Sequence, residues 1–501
     1  MKTNNMMTGA IVLSIGAVLA KLFSAIYRIA LTRILGGEGI GIYQLIFPLY
    51  SLCVVLATAG LPLAISKVVA RHPGKEKSVL KKCLFFTSLL ALVITLILLL
   101  LSKPLALIQG EESLKICYII LAPSIIIVNV ISVLRGYYQG KQNYVPSAVS
   151  NIVEQFAKLL VGLMLSVILL KISLFASIIG AIISIVISEV FALIVLLVYL
   201  KKQEKTTSGN VDINLKSIAK DVLPITLTNI IMPIASFVDS LVVVNLLAKN
   251  FARPMSVFLY GIETGAVSSL VSLPTIFSFA IASVIMPNIA LKNRQHNRSQ
   301  SLAFALRVIL IITIPCALCF LVVPNRLISL LYSDGLNGLG VQGLNIAFRL
   351  LAFSSVGVVF LAINQIYTSS LQAVDERFVT IRNLSIGVLI KFLIEIAFLP
   401  SKYLNIFALT IANTACHLTA MVLNHFEIQQ HFKIYFDFVF TGKLVIANGL
   451  MVLSLICVLA LSQSWVVTII GVLVAVIVYL YSLYMLKIFN KKDLAIIKYK
   501  V

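Results

Sequence analysis

The stretch LKKCLFFTSLLALVITLILLLL at residues 80–101 decides the fold class. Past Lys82 it runs to Leu101 without a charge, and Lys103 closes it. A hydrocarbon core about 30 Å thick takes roughly 20 apolar residues in a helix rising about 1.5 Å per residue. Lipid offers the backbone no hydrogen bonds, so such a run must satisfy its own peptide groups as a helix. Outward from it, thirteen more runs of this kind lie near 8–32, 42–66, 116–134, 147–170, 174–200, 218–247, 264–290, 302–323, 344–370, 379–399, 404–426, 442–462 and 466–488. Composition agrees: 60% of the residues are hydrophobic, 12% are charged, and the mean hydropathy is +1.06. A soluble chain is about half apolar and a quarter charged. The expected fold is an all-α polytopic membrane protein with about 14 transmembrane helices, of which the first, seventh and tenth are the most polar.

The charges between the runs give an independent test. With the N-terminus inside, the inward loops carry Lys67, Arg71, Lys75, Lys77, Lys81 and Lys82, then Arg135 and Lys141, then Lys201 to Lys220. Later inward loops carry Lys292 to Arg307, Arg377 and Arg382, Lys433 and Lys443, and the lysines of the tail. Roughly 27 basic residues fall inside and about nine outside. That asymmetry follows the positive-inside rule, and one helix more or fewer would scramble it. The expected setting is the plasma membrane, multi-pass, with both termini cytoplasmic and anionic lipids facing the basic loops.

Several functions are excluded by the same reading. A net charge of +22 would suggest nucleic acid in a soluble protein; here no aromatic–basic motif accompanies it, and no nucleic-acid partner is expected. Connections are short, the longest about 20 residues, which leaves no room for a catalytic or nucleotide-binding domain. There is no GxxxxGK[ST], so no ATP is expected. GGEGIG at 36–41 lacks the GxGxxG spacing and reads as a tight turn between the first two helices. The seven cysteines lie in or beside apolar runs, and the CxxC of Cys316 and Cys319 has no second ligand pair, so they read as packing residues. Apolar sequence continues past Lys21 and Arg28, so the first run reads as a retained helix and not a cleaved signal. No cofactor and no enzymatic activity are expected, and the protein is expected to act as a monomer.

The chain repeats itself. Gln139 and Lys158 stand 19 residues apart after the fourth run, and Gln372 and Lys391 stand 19 apart after the tenth. Six helices separate the copies, and the polar linker Lys201–Ser217 lies midway. This spacing implies two six-helix lobes, 1–200 and 218–428, with two additional helices at 440–490. Parallel repeats of this kind are a transporter design with a midplane site. Prolines inside the runs, paired in the second, seventh and eighth (Pro48 and Pro62, Pro224 and Pro233, Pro274 and Pro287), mark helices able to flex.

Charges at membrane depth cost at least ~2.5 kcal/mol each on insertion scales and are functional candidates by default. Lys21 and Arg28 are seven residues apart, which places both on one helix face with Ser14, Ser24 and Thr32 extending the stripe. Two cations among hydroxyls suit an anionic group such as a pyrophosphate, with arginine able to bind it bidentately. The alternative is snorkelling of both side chains to the interfaces. Glu154 precedes Lys158 by four residues and Lys391 precedes Glu395 by four, so each pair can meet on its helix. Mutual neutralisation and direct substrate contact are both open for these pairs. Asp239 has no basic residue at helical spacing, and with Glu189 it is the candidate coupling site for Na+ or H+.

Three segments carry a family resemblance. YRIALTRILGGEGIGIYQLIFPLYSL (27–52) with TAGLPLAISKVVA (58–70), RGYYQGKQNYVPSAVSNIVEQ (135–155) and YGIETGAVSSLVSLPTIFSFAIASVIMPNIA (260–290) resemble the stage V sporulation protein B and lipid II flippase (MurJ-like) family. That family belongs to the multidrug/oligosaccharidyl-lipid/polysaccharide exporter superfamily. The resemblance implies twelve helices in two lobes plus two more around a cationic cavity. It also implies export of undecaprenyl-pyrophosphate-linked cell-wall precursors by alternating access, with a lipid-linked sugar as substrate and roles in peptidoglycan synthesis, cell shape or sporulation. Arg28 matches the first-helix arginine of the pattern, and Asp239 stands where the family often has an acid. Asn151 and Lys158 stand where glutamine and arginine are usual, which weakens the case for bidentate contacts there. The implied substrate-binding set is Lys21, Ser24, Arg28, Asn151, Glu154 and Lys158. Two other readings stay open: a cation-coupled multidrug exporter, and a flippase for polysaccharide repeat units of the O-antigen or teichoic type.

Overall fold

A computed structural model describes residues 2–201, 215–290, 295–336, 341–433 and 437–488. Most of the linker Lys201–Ser217, the basic residues Lys292 and Arg294, and the lysines after Ile488 lie outside the described residues. Among the described residues every regular element is helical. Twelve helices there are long and apolar enough to cross a membrane, and one of them, at 15–71, is long enough for two crossings.

The chain forms two compact units, Met1–Gly265 with Leu399–Tyr403, and Ala266–Phe398 with Leu404–Val501. In the first, α1 (Lys2–Thr58) runs through the first two apolar runs and breaks at Gly36, whose φ of 70° and ψ of 179° suit only glycine. The tight turn expected over GGEGIG is therefore a single residue. Gly37 and Gly41 instead serve packing: a Cβ on Gly41 would come within 2.2 Å of the Val257 carbonyl oxygen. The second run also divides, because α1 ends at Thr58 and α2 (Leu61–Arg71) starts afresh with Pro62 in its first turn, where a missing N–H costs nothing.

Next come α3 (Glu76–Ile108), α4 (Leu114–Gly140), α5 (Val145–Leu170), α6 (Leu174–Lys201) and α7 (Leu215–Leu247). Outward side chains of α3, such as Phe85 at 68% and Leu100 at 79% exposure, form the face that lipid covers. Inward, Ile65 and Val69 of α2, Val79 and Cys83 of α3, Leu134 and Tyr138 of α4 and Leu196 of α6 make one core. The RGYYQG segment owes its glycines to this packing. A Cβ on Gly136 would meet the Pro62 carbonyl oxygen at 2.8 Å, and one on Gly140 the Ser66 carbonyl oxygen at 2.8 Å. Small residues four apart let two membrane helices approach backbone to backbone.

The eighth run differs from its expected span. Its helix begins at Arg253 as α8 (Arg253–Gly261), widens into a π turn (Ile262–Val267), continues as α9 (Ser268–Ser272) and resumes after Pro274 as α10 (Thr275–Ala290). Hydropathy hid the start because Arg253 and Glu263 interrupt it, and Val257 to Gly261 are buried in protein, where lipid sets no requirement.

The second unit holds the rest. It contains α11 (Gln295–Val322), α12 (Pro324–Leu336), α13 (Val341–Ala373), α14 (Arg377–Phe398), α15 (Phe407–His431), α16 (Phe438–Leu459) and α17 (Trp465–Met485). One core joins Ile289, Leu302, Ile309, Ile366, Leu371 and Phe432. Another joins Ile311 and Val323 to the hairpin of α16 and α17 through Leu444, Met451, Leu455 and Tyr479.

Candidate functional site

The polar residues of the first unit gather around the two halves of α1. Lys21, Ser24, Arg28 and Thr32 follow at steps of three and four and share a face. Lys21, Ser24 and Arg28 are half-buried, while Thr32 is buried and donates to the Arg28 carbonyl oxygen at 2.8 Å. The side chain of Ser14 lies outside the described residues. Arg28 Nη2 donates to the Thr264 carbonyl oxygen in the π turn at 3.1 Å, and Gln44 Nε2 donates to the same oxygen at 2.9 Å.

Lys158 of α5 sits between aromatic faces. Its Nζ lies 5.3 Å from the centroid of the Tyr27 ring and 5.5 Å from that of Phe47, one from each half of α1. A cation held this way where water is scarce gains up to ~2 kcal/mol. It does not pair with Glu154, although the spacing allows it. Arg135 of α4 takes that carboxylate at 2.8 Å and donates through Nε to Ser150 Oγ at 3.0 Å. A guanidinium fork from the neighbouring helix makes a shorter, charge-assisted bond than a lysine one turn along. Asn151 lies half-buried one turn before Glu154 on α5.

The second unit carries the other pair at four-residue spacing. Lys391 and Glu395 of α14 do meet, at 3.7 Å, with side chains 3% and 0% exposed. Lys158 lies in α5, the helix that follows α4 and its end at Gly140, and Lys391 lies in α14, the helix that follows α13 and its end at Ala373. Lys391 is neutralised by its neighbour, and Lys158 has no ion pair within 4 Å among the described residues.

Among the described residues three buried acids, Glu189, Asp239 and Glu263, lie in the first unit. Glu189 of α6 is 4% exposed and accepts the Tyr50 hydroxyl proton on Oε1; Ser124 of α4 donates to that hydroxyl oxygen at 2.9 Å. No hydrogen bond reaches Glu189 Oε2 among the described residues. Asp239 is buried in α7 beside Ser240. Ser240 Oγ accepts from Gln109 Nε2 at 3.1 Å, and the same amide donates to the Leu45 carbonyl oxygen at 2.9 Å. Tyr118 donates to Gln109 Oε1 at 2.5 Å, so the helix segment bearing Asp239 is tied to α1, α3 and α4.

Sequence reasoning passed over Gln44, Arg135, Tyr50, Glu263 and the Thr264 carbonyl. Gln44 could have been found as the polar break in YQLIFPLY, and Glu263 as a buried acid one residue outside the run as delimited. A backbone carbonyl leaves no trace in sequence. Chemically the unit offers a basic stripe and an aromatic-flanked lysine, which can bond an anion, and three buried acids, which can bond a proton or a cation.

Comparison with known proteins agrees with this description. A family model described as polysaccharide biosynthesis protein matches residues 6–292. Stage V sporulation protein B of Bacillus subtilis (strain 168) is 32% identical over 166 residues, 32% of this chain and 32% of that protein, so the alignment spans about a third of that relative. Lipid II flippase MurJ of the same organism is 21% identical over 464 residues, 86% of this chain and 83% of that protein. Among solved structures, lipid II flippase MurJ in an inward closed conformation superposes with a TM-score of 0.73 at 16% identity, covering 94% of this chain and 98% of that one. An inward-facing multidrug resistance transporter of the MATE family and MOP superfamily gives 0.62 at 15% identity, covering 84% and 98%. At these identities the structures share a fold with this chain.

Proposed function

Because the chain belongs to the polysaccharide biosynthesis protein family, we propose that it is a flippase for a polyprenyl-pyrophosphate-linked saccharide, working by alternating access in the plasma membrane. The substrate is an undecaprenyl-pyrophosphate-linked cell-wall precursor, lipid II or a close relative. A sugar pyrophosphate cannot cross ~30 Å of hydrocarbon alone, whereas its polyprenyl tail never has to leave the lipid. A polar, basic path through the protein supplies what the headgroup lacks.

The observation that carries the reading is the set of cations in the first unit. Lys158 lies over Tyr27 and Phe47 while its helical neighbour Glu154 is spent on Arg135. The unit thus presents Lys158 alongside the Lys21–Arg28 stripe, with Ser24 and Asn151 as further hydrogen-bonding groups. The working molecule is a monomer of two six-helix lobes, 1–200 and 218–428, with the helices at 440–490 appended. Asp239 and Glu189 take the coupling ion, Na+ or H+; Glu189 is suited by its single bonded oxygen.

The family description also favours a second reading, a flippase for polysaccharide repeat units, which carries the same polyprenyl pyrophosphate under a different sugar. Binding of the purified protein to lipid II, to a polyprenyl-pyrophosphate repeat unit and to a neutral glycolipid tests both. Preference for either anionic lipid over the neutral one supports a pyrophosphate carrier, and the tighter of the two names the sugar. Equal binding to all three, with uptake of cationic drugs in vesicles, replaces it with a multidrug exporter.

A further inference from the structure

Gln44 and the Thr264 carbonyl bear on how Arg28 meets a phosphate. The two side-chain donors on that oxygen stand eight residues before and eight after Gly36, and the break in α1 brings them to one place. In a regular helix a carbonyl is held by the amide four residues on. The π turn at Ile262–Val267 departs from that register, and here the Thr264 carbonyl oxygen accepts from Arg28 at 3.1 Å and Gln44 at 2.9 Å. Gln44 thus braces the carbonyl oxygen that Arg28 Nη2 bonds, and that bond constrains the orientation of the guanidinium. The turn itself is clamped, because Thr264 Oγ1 donates to the Tyr260 carbonyl oxygen at 2.6 Å and a Cβ on Gly265 would meet Ile40 at 2.7 Å. Gln44 is 4% exposed, so water cannot readily replace its amide.

A guanidinium recognises phosphate through two parallel N–H bonds, and that recognition depends on the orientation of its plane. A diphosphate offers more oxygen pairs along its length than a monophosphate, and a fork of fixed plane is what turns that difference into selectivity. Resting on the pyrophosphate reading above, we propose that Gln44, acting through the Thr264 carbonyl, is a positioning residue that sets the Arg28 fork for a diphosphate rather than a monophosphate polyprenyl headgroup.

The test uses the full chain in lipid nanodiscs and two probes, undecaprenyl diphosphate and undecaprenyl monophosphate. Gln44→Met keeps the length and loses the donor; Gln44→Glu keeps the length and puts a carboxylate beside Arg28. Wild type is expected to prefer the diphosphate. Gln44→Met should lower that preference roughly fivefold, the scale of one lost hydrogen bond, while monophosphate binding stays near wild type and reports an intact fold. Gln44→Glu should lower it further by bonding Arg28 itself. Were Gln44 only a packing residue, Gln44→Met would leave the preference intact. Both Gln44 variants keeping the wild-type preference while Arg28→Ala loses it would overturn the positioning role and leave the pyrophosphate reading standing. A wild type that binds both lipids equally would remove that reading, and this proposal with it.

Discussion

Arg28 and Lys158 show how far a residue's neighbours in sequence describe its surroundings. The seven-residue step from Lys21 to Arg28 was enough to place both on one face of α1, as it would on any helix. The four-residue step from Glu154 to Lys158 was not enough, since Arg135 on another helix competes for the carboxylate at 2.8 Å. The same step in Lys391–Glu395 does close, at 3.7 Å. Spacing states which contacts a helix allows; the adjoining helix decides which form. At this scale two substitutions are informative. Arg28→Lys keeps the charge and loses the fork, so lipid II affinity should fall roughly tenfold, and Arg28→Ala should fall further, toward a hundredfold, the range of charged hydrogen bonds. Equal affinities for both variants in a binding titration would reduce Arg28 to a snorkelling residue. Asp239→Asn keeps the shape and removes the charge. It should abolish the dependence of transport on an ion or proton gradient at normal protein levels, and unchanged dependence in vesicles would make Asp239 structural.

Elements were legible where lipid imposed a rule on them. The charge-free run at 83–101 lies within α3 as read, because every exposed position there must be apolar. The turn at 36–41 was legible, but not that one residue, Gly36, makes it; the early start of α8 was not legible, since Val257 to Gly261 are buried in protein, which tolerates Arg253 and Glu263. The RGYYQG segment served as a signature before its use was evident; the structure assigns Gly136 and Gly140 to close contact with α2. Gly140→Leu must push against the Ser66 carbonyl and Val69, and overpacking of this kind costs about 1–3 kcal/mol. The thermal midpoint of the purified protein should fall accordingly, while Leu100→Ala on the lipid face should move it little. A Gly140→Leu midpoint equal to wild type would contradict the packing assignment.

For the whole molecule, loop charge yields an orientation that helix geometry alone does not supply. By the positive-inside rule, the basic residues of the alternate loops predict that both termini are cytoplasmic. A cysteine at Glu38, an exposed position beside the α1 break, should label from outside in a cysteine-free background. One at Lys205 should label only after the membrane is opened. Labelling of Lys205 in sealed cells would invert the topology. The direction of transport proposed for the chain depends on that orientation, because precursor must enter from the cytoplasmic leaflet. The most direct measurement is movement itself: the purified protein in sealed vesicles carrying lipid II in one leaflet, with a membrane-impermeant reagent reporting its arrival in the other. The proposed function predicts arrival that depends on the protein and collapses with Arg28→Ala. Wild-type protein that leaves lipid II and polyprenyl-pyrophosphate repeat units in their starting leaflet, under an imposed Na+ or H+ gradient of either sign, would contradict it.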